Sequence, residues 1–159
     1  MQKDLYQRFL SYAFWLLGRR AYSKSEIIKK LQLKAKKLKL EEGQAGDIKE
    51  RVVSRLEELN YINDAKILEN YFEYRLPARP AGKYIFLNEM RRRGIDVGAA
   101  KTAWDSRRID EEKLAEEFIA GKIERFKGLD LQKRKKRIAG LLSRRGFSTD
   151  TVWNVLGKI

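Results

Sequence analysis

The sequence predicts an all-α chain of three tandem three-helix repeats forming an elongated, curved body. Three observations predict it. Apolar residues recur at spacings of three and four nearly from end to end, with no sustained alternation of period two. Residues that start and stop helices fall between the apolar stripes. One apolar motif occurs three times along the chain.

The stripes give nine helical segments. Leu5, Phe9, Tyr12, Ala13, Leu16 and Leu17 form the first, and Ile27, Ile28 and Leu31 begin the second. Ile48, Val52, Val53, Leu56 and Leu59 make the third, and Ile67, Leu68, Tyr71, Phe72 and Leu76 the fourth. Ile85, Phe86, Leu87 and Met90 follow, then Val97, Ala100, Ala103 and Trp104. Leu114, Ala115, Phe118, Ile119, Ile123 and Phe126 form one further stripe, before Ile138, Leu141 and Leu142 and finally Val152, Val155 and Leu156. Ser23-Lys24-Ser25-Glu26 is a capping box, in which hydroxyl and carboxylate each satisfy a free amide of the first turn. Asp47, Asp64, Asp96, Asp110, Asp130 and Ser148 are the other N-cap candidates. Gly94, Gly146 and Asn60 suit left-handed helix ends, and Pro77 and Pro80 close the fourth segment.

The repeat aligns Ile27 to Leu31 with Phe86 to Met90 and Ile138 to Leu142, at offsets of 59 and 52 residues. Lys34, Arg93 and Arg145, then Ala35, Gly94 and Gly146, follow at matching places. The expected repeats are 1–62, 63–110 and 111–159. A unit of this size is marginal alone, so neighbours share apolar surface. The Lys-rich stretch 33–46 is read as an insertion that lengthens the second helix and then loops.

Composition bounds the chemistry. Thirty-six Lys and Arg against 22 Asp and Glu leave a formal charge of +14, and there is neither His nor Cys. Zinc fingers, thiol nucleophiles and His-dependent hydrolases are excluded. The acidic groups Glu57-Glu58, Asp110-Glu111-Glu112 and Glu116-Glu117 lie among Lys and Arg, the pattern of solvated i,i+4 pairing. Neither a GxxxxGK[ST] nor a GxGxxG run is present. No enzyme, cofactor or metal site is expected. No apolar run approaches the roughly 20 residues of a membrane span. Met1 to Tyr6 lack the order of a secretory leader, so the cytoplasm is the expected compartment, and a monomer is the simplest expectation. The charge favours an acidic partner.

Candidate partner-binding residues follow from basic clustering. Arg75, Arg79 and Lys83 flank the proline turn, and Arg91, Arg92 and Arg93 precede Gly94. Lys133, Arg134, Lys135, Lys136 and Arg137 open the eighth segment, where positive charge opposes the helix dipole, and Arg144 and Arg145 close it. Each offers charge-assisted hydrogen bonds to phosphates or carboxylates. Tyr71, Tyr74 and Tyr84 are candidates for stacking on bases, while Trp15, Trp104 and Trp153 are assigned to the core by their helical spacing.

Five stretches carry a family resemblance. Arg19 to Glu26 (RRAYSKSE) resembles the RR-x-YS-x-x-E opening of the RecX regulatory proteins, and Leu56 to Asp64 (LEELNYIND) resembles their L-x-x-L-G-Y-[IL]-[ND]-D segment, with Asn60 in place of Gly. Arg79-Pro80-Ala81-Gly82 is similar to their R-P-x-G turn, Arg91 to Ile95 to their KG[IV] helix end, and Arg144 to Ser148 to their RRGFS. The chain departs at 33–46, where the family has a short turn. The resemblance implies three tandem three-helix repeats and a regulator of repair, recombination and the SOS response. Such a regulator binds RecA filaments on single-stranded DNA, in direct contact with the DNA or not, and inhibits ATPase, coprotease and strand exchange without catalytic residues. A stand-alone basic helical nucleic-acid-binding module is the alternative.

Overall fold

The structure, a computed structural model, describes residues 2–159, with side chains from Asp4 onward. Met1 and the side chains of residues 2 and 3, part of the stretch read for a leader, lie outside the described residues. Among the described residues there is no β-strand. The described residues form nine helices: α1 (Gln2–Leu17), α2 (Lys24–Lys37), α3 (Glu42–Glu58), α4 (Asp64–Asn70, continuing through Tyr71–Arg75 and Leu76–Ala78), α5 (Lys83–Arg92), α6 (Val97–Ser106), α7 (Glu111–Ala120), α8 (Leu131–Arg144) and α9 (Thr149–Gly157), with a 3-10 turn at Ile123–Phe126.

Two compact units form. The first holds Met1–Leu68 and Arg93–Ile95, the second Glu69–Arg92 and Asp96–Ile159. In the first, α1, α2 and α3 bury Phe9, Ala13, Ile27, Leu31, Val52 and Leu56 completely. In the second, Phe72, Phe86 and Trp104 meet ring to ring, with Phe86 and Trp104 centroids 5.2 Å apart. Also in the second, α7, α8 and α9 close over Ala115, Ile138, Leu142 and Val155. The three aligned motifs place one i,i+4 pair each at the bottom of a core: Ile27 and Leu31, Phe86 and Met90, Ile138 and Leu142. Burial of each such side chain is worth about 1.5–3 kcal/mol, so the repeated motif is the packing unit.

The caps at Ser23, Asp96, Asp110, Asp130 and Ser148 form as the sequence indicates, each oxygen accepting from the amide three residues on. Two others do not. α3 starts at Glu42, so Asp47 lies inside it and pairs with Arg51. Ahead of α4 it is Asn63 that accepts from the Lys66 amide, while the Asp64 carboxylate accepts from the amide of Lys24. The 33–46 stretch is mostly helix, leaving a four-residue link that turns at Lys39 (φ 52). Burial of Ala45 and Ile48 along one face carries the helix back through Gly43 and Gly46. Further on, the seventh segment breaks after Ala120, and Ile123 and Phe126 belong to the 3-10 turn.

Pro77 does not end α4 either. Residues Tyr71–Arg75 wind as a π-helix, with the Leu76 amide donating to the Tyr71 carbonyl. The wider turn accommodates the ring of Pro77, and the helix runs on to Ala78. Two tryptophans also depart from expectation: Trp104 is core, but Trp15 is 55% and Trp153 68% exposed. A three-to-four spacing defines a stripe without distinguishing its edges from its centre.

Candidate binding surface

Two corners absorb much of the basic sequence. In the first unit the Ser23 hydroxyl donates to the Arg93 carbonyl, and the Arg93 guanidinium donates to the carbonyl of Ala21 (2.8 Å) and to Glu26 (3.2 Å). Arg20 binds the same carboxylate at 3.2 Å and lies 3.7 Å over the Tyr22 ring. Burial pushes the Glu26 carboxyl up, but the hydrogen bonds from Arg20, the Ser23 amide and Arg93 outweigh it and hold the group below the usual glutamate value.

The second unit has an equivalent corner. The Gly82 amide donates to the Arg145 carbonyl (2.8 Å), and the Arg145 guanidinium donates to the carbonyls of Pro80 (2.5 and 2.9 Å) and Arg79 (3.1 Å). Here, among the described residues, no carboxylate pairs with the guanidinium. Burial and the neighbouring Arg79 charge lower its pKa. Gly94 (φ 70) and Gly146 (φ 75) make the left-handed turns that follow the two arginines. A Cβ on Gly146 would stand 2.4 Å from the Ile85 side chain, and one on Gly94 2.3 Å from the Ser25 hydroxyl.

The remaining candidates divide by location. Arg75 pairs with Glu89 at 3.6 Å. Lys83 is tied twice, its amide to Glu111 (2.6 Å) and its ammonium to Asp105. The Arg79 side chain is exposed while its carbonyl serves Arg145. Arg91 and Arg92 are exposed and reach back to the side chain and the carbonyl of Asn88. Tyr71 is a correction to the stacking set: it is 5% exposed, packed 4.7 Å from the Phe86 ring. Burial, then the Glu89 charge, pushes its hydroxyl up to about 12. No base reaches such a ring. Tyr74 and Tyr84 are exposed.

The acidic clusters follow pairing within a helix only in part: Glu58 meets Arg55, three residues back, at 3.1 Å, while others reach across. Glu57 reaches Lys24 at 2.8 Å, and Glu112 and Glu116 share Lys158 at 3.2 and 2.6 Å. They tie helix to helix. Among the described residues no group of three or more Asp or Glu is placed to hold a metal ion, and no helix is long and apolar enough to cross a membrane.

What the corners leave is α8. Its fourteen residues LQKRKKRIAGLLSR carry six basic side chains and no acidic one. Asp130 caps the helix and pairs with Lys133 at 3.0 Å, relieving part of the conflict with the dipole. Arg134 turns back onto the Lys127 carbonyl. Lys133, Lys136, Arg137, Gly140 and Arg144 fall on one face by their i,i+3 and i,i+4 spacing. With Leu129 they line an open depression of about 340 Å³.

The family model described as "RecX, third three-helix domain" matches residues 110–156, the part that contains α8. A "Regulatory protein RecX" from Chlorobium phaeobacteroides is 32% identical over 149 residues, covering 92% of this chain and 90% of that protein.

The chain belongs to the RecX family.

A RecX from Streptomyces coelicolor is 33% identical over 100 residues, 62% of this chain, and that match spans 53% of the relative's length. The crystal structure of RecX from Lactobacillus salivarius has the same fold, with a TM-score of 0.78 at 19% identity over 98% of this chain and 97% of the other. The RecX-like motifs now have physical roles. RRAYSKSE and RRRGI build the first corner, and RPAG and RRGFS build the second.

Proposed function

We propose that this RecX-family chain is a cytoplasmic regulator that binds RecA recombinase filaments on single-stranded DNA. It inhibits their ATPase, coprotease and strand-exchange activities by binding, without a cofactor or a catalytic step. It acts as a monomer of three repeats bounded at 1–62, 63–110 and 111–159. Family membership and the relatives' shared description as regulatory proteins support the reading. The observation that carries it is α8: six cations and no carboxylate on fourteen residues, four of the cations lining one open face. Such a face meets phosphates or an acidic protein groove with charge-assisted hydrogen bonds. Arg91, Arg92 and Arg79 are the second group. Arg93 and Arg145 act through the fold.

The test is RecA ATPase on single-stranded DNA, with this protein titrated in at substoichiometric ratios. Inhibition below the RecA concentration supports the filament reading. Full ATPase at equimolar protein overturns it. Tight DNA binding without RecA, with a steep salt slope and no inhibition, marks the stand-alone nucleic-acid module instead.

A further inference from the structure

We propose that the first unit carries a stacking platform for single-stranded nucleic acid centred on Trp15, separate from α8. The ring contacts of this unit form a continuous ladder. The Lys34 ammonium lies 4.5 Å over Tyr12, Tyr12 stacks on Trp15 at 6.0 Å with an interplanar angle of 18°, and the Arg19 guanidinium lies 4.4 Å over Trp15. Two helices supply it, α1 with Tyr12 and Trp15 and α2 with Lys34. Trp15 is more than half exposed, so a large apolar ring is held in water by cations and not by a core.

The flanks are cationic. Arg8, Tyr12 and Trp15 run along one face of α1 at i,i+4,i+7, with Arg19 in the turn that follows the helix, and Lys30, Lys34 and Lys37 run along one face of α2 at i,i+4,i+7. Each helix has one carboxylate among its residues, Asp4 or Glu26, in its first turn, and Glu26 is taken by Arg20 and Arg93. An acidic ligand with flat apolar faces complements this arrangement. Single-stranded DNA or RNA is that ligand: a base takes the outer face of Trp15 in place of the Arg19 guanidinium, which swings to the adjoining phosphate, and Lys34 meets the next. The platform is sequence-tolerant because every base presents a π-face.

The experiment follows Trp15 emission in the Trp153→Phe chain as oligothymidylate is added without RecA. Trp104, fully in the core, supplies a constant background. Saturable quenching is expected. Trp15→Ala should weaken oligothymidylate binding about tenfold, and Trp15→Phe less. Arg19→Gln should lower the salt slope by about one. Circular dichroism and the unfolding midpoint check that each variant folds, as a half-exposed ring permits. Unchanged Trp15 emission at saturating oligothymidylate, or undiminished affinity in folded Trp15→Ala, overturns the platform. So does a Trp15→Ala chain that loses RecA inhibition while binding oligothymidylate normally, since the ring then serves a protein surface. Failure of RecA inhibition in the parent chain bears on the proposed function and leaves the quenching result standing.

Discussion

Arg93 and Arg145 do the same work in successive copies of the repeat. Each ends a middle helix, and each turns its guanidinium onto carbonyls that lead into an earlier middle helix, Ala21 ahead of α2 and Pro80 ahead of α5. The alignment that pairs Ile27 with Phe86 also pairs Ala21 with Pro80 and Ser23 with Gly82. The Ser23 hydroxyl and the Gly82 amide both donate to the carbonyl of the partner arginine. One corner is thus made twice from different atoms.

Arg145→Ala leaves the Pro80 and Arg79 carbonyls without their donor. Hydrogen bonds to a charged group are worth about 1.5–3 kcal/mol. The unfolding midpoint should fall by roughly 5 °C for a chain of this size. Arg145→Lys should recover less than half, because an ammonium cannot span two carbonyls as the planar fork does. Thermal unfolding followed by circular dichroism reads both.

Glycines at the corner and within helices should respond with opposite signs. A Cβ on Gly82 would stand 2.1 Å from the Gly146 carbonyl oxygen, a backbone atom that cannot turn aside. Gly82→Ala should therefore destabilise the chain more than Arg145→Ala does. Gly46, inside α3, has nothing within 4 Å of the same position. Gly46→Ala should raise stability by about 0.5–1 kcal/mol through helix propensity. Urea unfolding of the two variants settles the contrast, and a stabilised Gly82→Ala would refute the packing of this corner.

Much of the fold was legible because its period is a property of the chain. Ile27 and Leu31, Phe86 and Met90, and Ile138 and Leu142 are spaced to share a face, and all lie at the bottom of a core. Five of the seven cap residues were legible too, since a side chain reaching the amide three residues on needs no tertiary information, whereas Asp47 and Asp64 were displaced by a helix start and a cross-helix contact that only packing decides. The helical course late in 33–46 was not legible, because that stretch carries no apolar stripe of its own and burial of Ala45 and Ile48 decides for helix. Within the candidate site, the α8 cluster was visible as a charge run. The corners were not. The repeat alignment marks Arg93 and Arg145 as equivalent positions, but only the approach of distant carbonyls shows that they are spent inside the fold while Arg92 and Arg144 are not. Trp15 was hidden for a related reason: it neighbours fully packed Leu16 and differs only in facing outward.

Glu26 makes the first corner sensitive to acid. Its folded-state pKa lies below the ordinary 4.5. The group therefore binds fewer protons folded than unfolded in that range, and its contribution is fully present above about pH 4.5. It is lost as the pH falls through the lower folded value. Urea midpoints of the parent chain and Glu26→Gln should differ at neutral pH and converge in acid. A difference that persisted unchanged at low pH would exclude the carboxylate as the source.

Charge reversal on α8 separates the surface from the scaffold. Lys133, Lys136 and Arg137 point from one helix face into an open depression, and their side chains accept no share of a core. Of the three, only position 133 lies in the first turn of α8, where the helix dipole favours negative charge, and a Glu there also exchanges the Lys133–Asp130 pair for two like charges. The triple variant should fold with an unfolding midpoint within a few degrees of the parent's, since the three side chains are exposed and a surface ion pair is worth little. Its inhibition of RecA ATPase should fall at least tenfold, and its residual binding should depend less steeply on salt. Arg145→Ala should behave in the opposite way, losing stability while inhibition per folded molecule is kept at temperatures well below its midpoint. Inhibition that survived the triple reversal would move the contact to Arg79, Arg91 and Arg92, and the same assay on their Glu variants would then locate it.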